Sequence, residues 1–260
     1  MRHTLDFQNI VPDKSISLFV KSISVFENNT PGIKTRLPFF ADGFPGLIFQ
    51  KCESGLIVNP HSKLMPEIFL YGQTICPVEL EMSGKYSIVI FQLYPFVLKT
   101  FFRINPESIN DDCYYLDDSE EDFSGIKHQL WSCKDLHETI GVISNLLFTC
   151  FERRKQKLDY EISQAIKSMI LTNGQESIRS VVAKTNLAIR TFERRFKSET
   201  GLSPKQFAQI IQFQASLRQL TIKDYTSLSD IVYQNGFSDQ SHFIKVFKAF
   251  TGKTPKTFNK

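Results

Sequence analysis

Apolar positions recur with two different periods along this chain, and the period changes part-way through. Up to about residue 93 the dominant spacing is two. Ile16, Leu18 and Val20 alternate with polar neighbours, Ile23 and Val25 follow, and the pattern predicts one or two strands over 15–26. Further strands are expected at 47–50, 56–58, 67–71, 78–82 and 86–93. In the last, Ile88, Ile90 and Gln92 alternate with Val89, Phe91 and Leu93. Both of its faces are apolar, so it belongs in the centre of a sheet. Asn28-Asn29-Thr30-Pro31-Gly32, Asp42-Gly43 and Pro45-Gly46 are turns, and Glu53-Ser54-Gly55 is expected to close a hairpin onto 56–58. Many short strands between close turns predict a small barrel or a double sheet.

Beyond residue 95 the spacing becomes helical. A short helix is expected over 95–103, an acidic loop over 107–122, and two helices over 123–131 and 135–157. The second carries Leu136, Ile140, Ile143, Leu147, Cys150 and Phe151 in one stripe, with Asp135 as its cap. That stripe packs on the barrel or pairs with a second copy of the chain. The polar run 152–157 marks a hinge, dividing the chain into 1–152 and 153–260. A helix over 159–172 opens the second part, with Ile162, Ala165, Ile166, Met169 and Ile170 in register and Asn173-Gly174 as its stop.

Residues 177–255 contain a repeat. A shift of 51 positions places Phe192 on Phe243, Arg194 on Lys245, Phe196 on Phe247, Lys197 on Lys248 and Gly201 on Gly252. One supersecondary unit is built twice. Each copy reads as a helix, a tight turn, a second helix and a glycine stop. Ser177 and Ser227 cap the first helices; the second helices run over about 188–198 and 239–250, the latter capped by Ser238. Between the copies, Ser203-Pro204-Lys205-Gln206 is a capping box that starts a connector reaching about Leu220. At ~1.5 Å per residue it is roughly 25 Å long, enough to set two helices about one DNA turn, roughly 34 Å, apart.

Charge sharpens this picture. The 260 residues carry a net +4, but 1–152 hold 12 Lys/Arg against 19 Asp/Glu, net −7, and 153–260 hold 19 against 8, net +11. The basic part is the part with the repeat, as a polyanion-binding tail requires. Two helices joined by a tight turn, the second apolar behind and basic in front, form the helix-turn-helix plan. Arg190, Glu193, Arg194, Gln240, Ser241, His242 and Lys245 are the expected base contacts. Lys197, Lys205 and Lys248 are the expected phosphate contacts. Phe192, Phe196, Phe237, Phe243 and Phe247 are core.

These residues resemble the AraC/XylS transcription regulators. The likeness rests on Ala183, Arg190-Thr191-Phe192-Glu193-Arg194-Arg195-Phe196-Lys197, Thr200-Gly201-Leu202-Ser203-Pro204, Gly236-Phe237-Ser238-Asp239-Gln240-Ser241-His242-Phe243 and Gly252-Lys253-Thr254-Pro255. It covers roughly the last hundred residues. Three positions depart from the family's pattern: Ala188 where a serine is usual, Gln212 where an arginine is frequent, and Asn259 where an arginine usually ends the motif. Residues 37–116 are similar to the cupin-like barrel of some such regulators, through Leu37-Pro38, Asp42-Gly43, Phe69-Leu70-Tyr71-Gly72-Gln73-Thr74 and Phe91-Gln92-Leu93-Tyr94-Pro95. The implied fold class is α+β: a mainly-β barrel with helices, then an all-α domain of two helix-turn-helix units and a connector. The implied partner is double-stranded DNA. RNA polymerase, an unidentified small-molecule effector and a second copy of the chain stay open as partners.

Other chemistry has no sponsor in the sequence. The five cysteines are scattered, with no Cys-x-x-Cys, and are read as reduced thiols. The five histidines form no metal motif, and the acidic run 117–122 lacks the glycine and glutamate of a calcium loop. No cofactor, metal or catalytic residue is expected. No apolar run reaches the ~20 residues of a membrane helix, and the first residues show no secretory signal, so the cytoplasm is the expected location. The rival readings are a ligand-blind protein-interaction barrel, or a cupin-type enzyme, fused to a DNA-binding tail.

Overall fold

A computed structural model describes residues 6–116 and 123–258. An amino-terminal β-rich part in two sheets precedes a helical carboxyl-terminal part. The strands are β1 (Asp6–Ile10), β2 (Val20–Asn28), β3 (Lys34–Phe39), β4 (Gly46–Cys52), β5 (Leu56–Asn59), β6 (Lys63–Met65), β7 (Ile68–Tyr71), β8 (Val78–Ser83), β9 (Tyr86–Leu93) and β10 (Cys113–Tyr115). One sheet runs β1-β2-β9-β4-β7-β10, the other β3-β8-β5-β6. β9 lies between β2 and β4, the central place its two apolar faces demand. Ile88 and Ile90 join Leu37, Leu56, Leu80 and Met82 between the sheets. Val89, Phe91 and Leu93 face a second core, shared with the helices.

Two expectations fail here. Residues 14–19 form a helical turn instead of a strand: the Asp13 carboxylate accepts from Ser15 N at 2.9 Å, and the amides of Ser17 and Val20 bond back to Asp13 and Ile16. The turn buries Ile16 and Phe19, three residues apart, which strict alternation does not. The turn at 53–55 closes no hairpin. β4 pairs with β7 and β9, whereas β5 pairs with β6 and β8, so the chain changes sheets there.

The helices are α1 (Val97–Phe102), α2 (Ile126–Ser132), α3 (Leu136–Arg154), α4 (Tyr160–Leu171), α5 (Ile178–Ala183), α6 (Ile189–Thr200), α7 (Pro204–Ile222), α8 (Leu228–Gln234), α9 (Gln240–Thr251) and α10 (Pro255–Phe258), with a 3₁₀ turn at Pro106–Ile109. Asp135 caps α3 by accepting from Glu138 N at 2.8 Å. The apolar stripe of α3 packs inside the chain: Ile143, Leu147 and Cys150 are buried, and Phe151 stacks on Phe19 with ring centroids 5.0 Å apart. The two parts meet at the loop before β4. Gly43 lies against Phe207 and Ile211 of α7, and Gln214 donates to the Ala41 carbonyl. Among the described residues no helix is long and apolar enough to cross a membrane. The acidic run 117–122 and Asn259 lie outside the described residues.

Candidate nucleic-acid interface

Local signals build the two units alike. Ser177 Oγ accepts from Ser180 N at 3.1 Å and starts α5. Ser227 Oγ accepts from Asp230 N at 3.3 Å while the Asp230 carboxylate takes Ser227 N at 2.6 Å, starting α8. Gly201 (φ 78°) and Gly252 (φ 73°) end α6 and α9 in the left-handed conformation. Behind these helices Phe192, Phe196, Phe243 and Phe247 are fully buried. The connector α7 serves both units: Phe207 packs on Phe196 with centroids 5.6 Å apart, and Phe213 on Phe247 at 5.5 Å. It begins with the Ser203–Gln206 capping box and spans 19 residues, about 28 Å at ~1.5 Å per residue.

The starts of α6 and α9 differ. Ala188 stands at the cap of α6 and offers no side-chain acceptor. Asp239, at the equivalent place, caps α9 by accepting from His242 N at 2.8 Å. The cap is therefore Asp239, one residue later than the expected Ser238. The bond from His242 N, helped by Ser238, holds the Asp239 carboxyl below the ordinary carboxylate range.

The expected contact residues fall into three groups. Arg190, Glu193 and Arg194 are exposed on α6, and Gln240, Ser241, Lys245 and Lys248 on α9; Lys205 is exposed at the start of α7. His242 is half-buried, its ring 5.7 Å from Phe237 and its Nδ1 3.2 Å from Ser238 Oγ. Lys197 is exposed but engaged, with Nζ 2.5 Å from Glu107 of the β-rich part. Arg195 lies outside the expected set and turns inward. It forks onto Asp159, Nε to Oδ2 at 2.8 Å and one terminal nitrogen to Oδ1 at 2.6 Å, pinning α6 to the cap of α4.

A profile described as a helix-turn-helix domain matches residues 181–260, and one described as a domain of unknown function (DUF6597) matches residues 8–114. The HTH-type transcriptional activator RhaS of Pectobacterium carotovorum subsp. carotovorum (strain PC1) is 25% identical over 120 residues, 45% of this chain and 43% of that protein. RhaS of Escherichia coli (strain SE11) is 31% identical over 77 residues, 30% of this chain and 27% of that protein. Its carboxyl-terminal part is therefore similar to a helix-turn-helix domain and to these HTH-type transcriptional activators. It spans less than half the length of the curated relatives it matches. Among solved structures, ToxT of Vibrio cholerae aligns over 97% of both chains at 13% identity and a TM-score of 0.47.

The end of α6 is held by the β-rich part. Lys99 Nζ contacts Glu199 Oε1 at 2.6 Å and Ser198 Oγ at 2.7 Å. Glu199 is buried; burial pushes its carboxyl above the ordinary range and the Lys99 ammonium pulls the other way. Asn110 Nδ2 donates to the Gly201 carbonyl at 3.0 Å, and a Cβ at Gly201 would sit 2.9 Å from the Pro106 backbone. Among the described residues the end of α9 meets no such cradle: a Cβ at Gly252 would find only Pro77, 3.9 Å away. These long-range pairs escaped the sequence reading. Their signal, a glutamate at 199 where the repeat has Phe250, is visible once the two copies are superposed.

Proposed function

We propose that this chain is a sequence-specific transcription regulator that reads double-stranded DNA with α6 and α9 in adjacent major grooves. One observation carries the reading: both helices are buried on a phenylalanine back, open on a polar and basic front, and packed on one connector. Arg190, Glu193, Arg194, Gln240, Ser241, His242 and Lys245 reach base edges, and Lys197, Lys205 and Lys248 hold phosphate. Residues 153–260 are the DNA-binding domain. Residues 1–152 sense a small molecule or a second copy of the chain and modulate it. Because the α3 stripe already packs inside the chain, a second copy uses another face. The chain has no catalytic role and works in the cytoplasm, with RNA polymerase as a further partner; the description of the RhaS relatives as transcriptional activators supports this.

The test is selection of bound fragments from random duplex by the purified full chain. The expected result is a motif with two sub-sites about 10–10.5 base pairs apart. No enrichment at any ionic strength would overturn the reading.

A further inference from the structure

A cavity of about 420 Å³ opens between the two sheets, a size suited to small molecules. Phe39, Ile48, Val58, Met65, Phe69 and Leu80 give it apolar walls. Its polar groups are few. Tyr71 lies over Gly46 so closely that a Cβ there would meet the hydroxyl at 2.5 Å. That hydroxyl is buried and has no hydrogen-bond partner among the described residues. Burial pushes its pKa well above the ordinary phenol value, so it stays a neutral donor and acceptor.

The charged groups of the lining are already engaged. Lys63 Nζ pairs with Asp112 at 2.6 Å, and Asp112 also accepts from Cys113 N at 2.8 Å. Asp111 accepts from Ile75 N at 2.6 Å and Cys76 N at 2.8 Å. Two carboxylates thus stand against one ammonium, which is neutralised. A carboxylate or phosphate entering here would lose its water and meet no free lysine or arginine among the described residues, His61 being the one other basic side chain of the lining. A neutral apolar body would gain burial against the walls without that cost.

We propose that this cavity binds an uncharged, predominantly apolar small molecule that presents one polar group to the Tyr71 hydroxyl. As the effector site of a regulator it rests on the DNA-binding reading above; as a binding site it does not. The same short segment places the site next to α6. Residues 110–113 line the cavity, while Pro106, Glu107 and Asn110 touch the last turn of α6 and its glycine stop.

Two dyes with one ring skeleton test the chemistry on the full chain at pH 8. N-phenyl-1-naphthylamine is neutral, and 8-anilinonaphthalene-1-sulfonate adds a sulfonate. The neutral dye is expected to bind saturably at one site per chain, at least about tenfold tighter than the sulfonate, a gap of ~1.4 kcal/mol. Val58→Phe, which fills the cavity, should weaken the neutral dye at least about tenfold. If that variant does not fold, Tyr71→Phe keeps the ring, removes the hydroxyl and should still weaken the dye by about threefold or more. Asp112→Asn releases Lys63 and should shift the preference between the two dyes toward the sulfonate.

A parent chain that binds the sulfonate as tightly as the neutral dye would overturn the proposal. So would neutral-dye binding that ignores both cavity variants. Duplex binding, followed by anisotropy on the same preparations, separates the two readings. A chain that takes the dye as expected but no duplex refutes the DNA reading and leaves the cavity assignment standing. One that binds duplex but not the dye does the reverse.

Discussion

Glu199 and Phe250 lie 51 residues apart, on the same turn of equivalent helices, and meet different neighbours. Around Glu199 the contacts are polar and reach into the β-rich part: the ion pairs Lys99–Glu199 and Lys197–Glu107, and a hydrogen bond from Asn110 to the Gly201 carbonyl. Around Phe250 they are aromatic. Phe213 lies 5.1 Å away, and Phe258 bridges Phe247 at 5.4 Å and Phe40 at 5.6 Å. Duplication supplied two copies of one plan, and the copies then took different anchors. The exposed Lys197–Glu107 pair weakens in salt, the pair at buried Glu199 less so, and the apolar anchors do not. The first unit is therefore the one that salt, or a change in the β-rich part, can loosen. Lys197 makes the point sharply: its expected phosphate-holding ammonium already touches a carboxylate, while its counterpart Lys248 has no ion-pair partner among the described residues.

The largest effect should be the one the units share. Phe196→Ala and Phe247→Ala each remove a fully buried ring and should cost about 3–5 kcal/mol in denaturant unfolding. A large disparity between them would mean that the two cores are not equivalent. Next in size is base reading. Arg194→Ala should cost about 1–3 kcal/mol on the cognate duplex and relax choice at one base pair, whereas Lys248→Ala should weaken all duplexes alike and lower the salt slope by about 1.

Then comes the cap. Asp239→Ala should lose about 1 kcal/mol of stability, and Ala188→Ser should gain up to about as much. Thermal unfolding of both, beside the parent, would show whether α6 tolerates an uncapped start that α9 does not. The smallest effect tests the difference itself. Glu107→Gln frees Lys197 from an exposed pair worth about 0.2–1 kcal/mol, so duplex affinity should rise by up to about fivefold, with a salt slope steeper by about 1. An unchanged slope would mean that Lys197 never meets phosphate.

The elements written in local chemistry were legible. Ser177, Ser203, Ser227 and Asp135 all cap the helices they precede, and the glycines at 201 and 252 stop the helices expected to end there. β9 could be placed centrally because both of its faces are apolar. Ser15 to Val20 misled because alternation over so few residues also fits a turn that buries positions three apart; Asp13, as a cap, was the available signal. The turn at 53–55 showed that the chain reverses, but turn residues do not name the partner strand, and sheet membership is a long-range choice. β1 and β3 hold few apolar residues and sit at sheet edges, where the hydrophobic pattern is weakest. Of the candidate interface, the faces of α6 and α9 were readable from spacing. The engagement of Lys197 by Glu107, 90 residues earlier in the chain, was not.

Hydroxyl-radical footprinting of the full chain on its selected duplex tests the two-groove claim most directly. The account predicts two protected patches on one face of the duplex, about 10–10.5 base pairs apart, with Arg194→Ala weakening one and Lys245→Ala weakening the other. A single patch, or the same patch weakened by both variants, would contradict it.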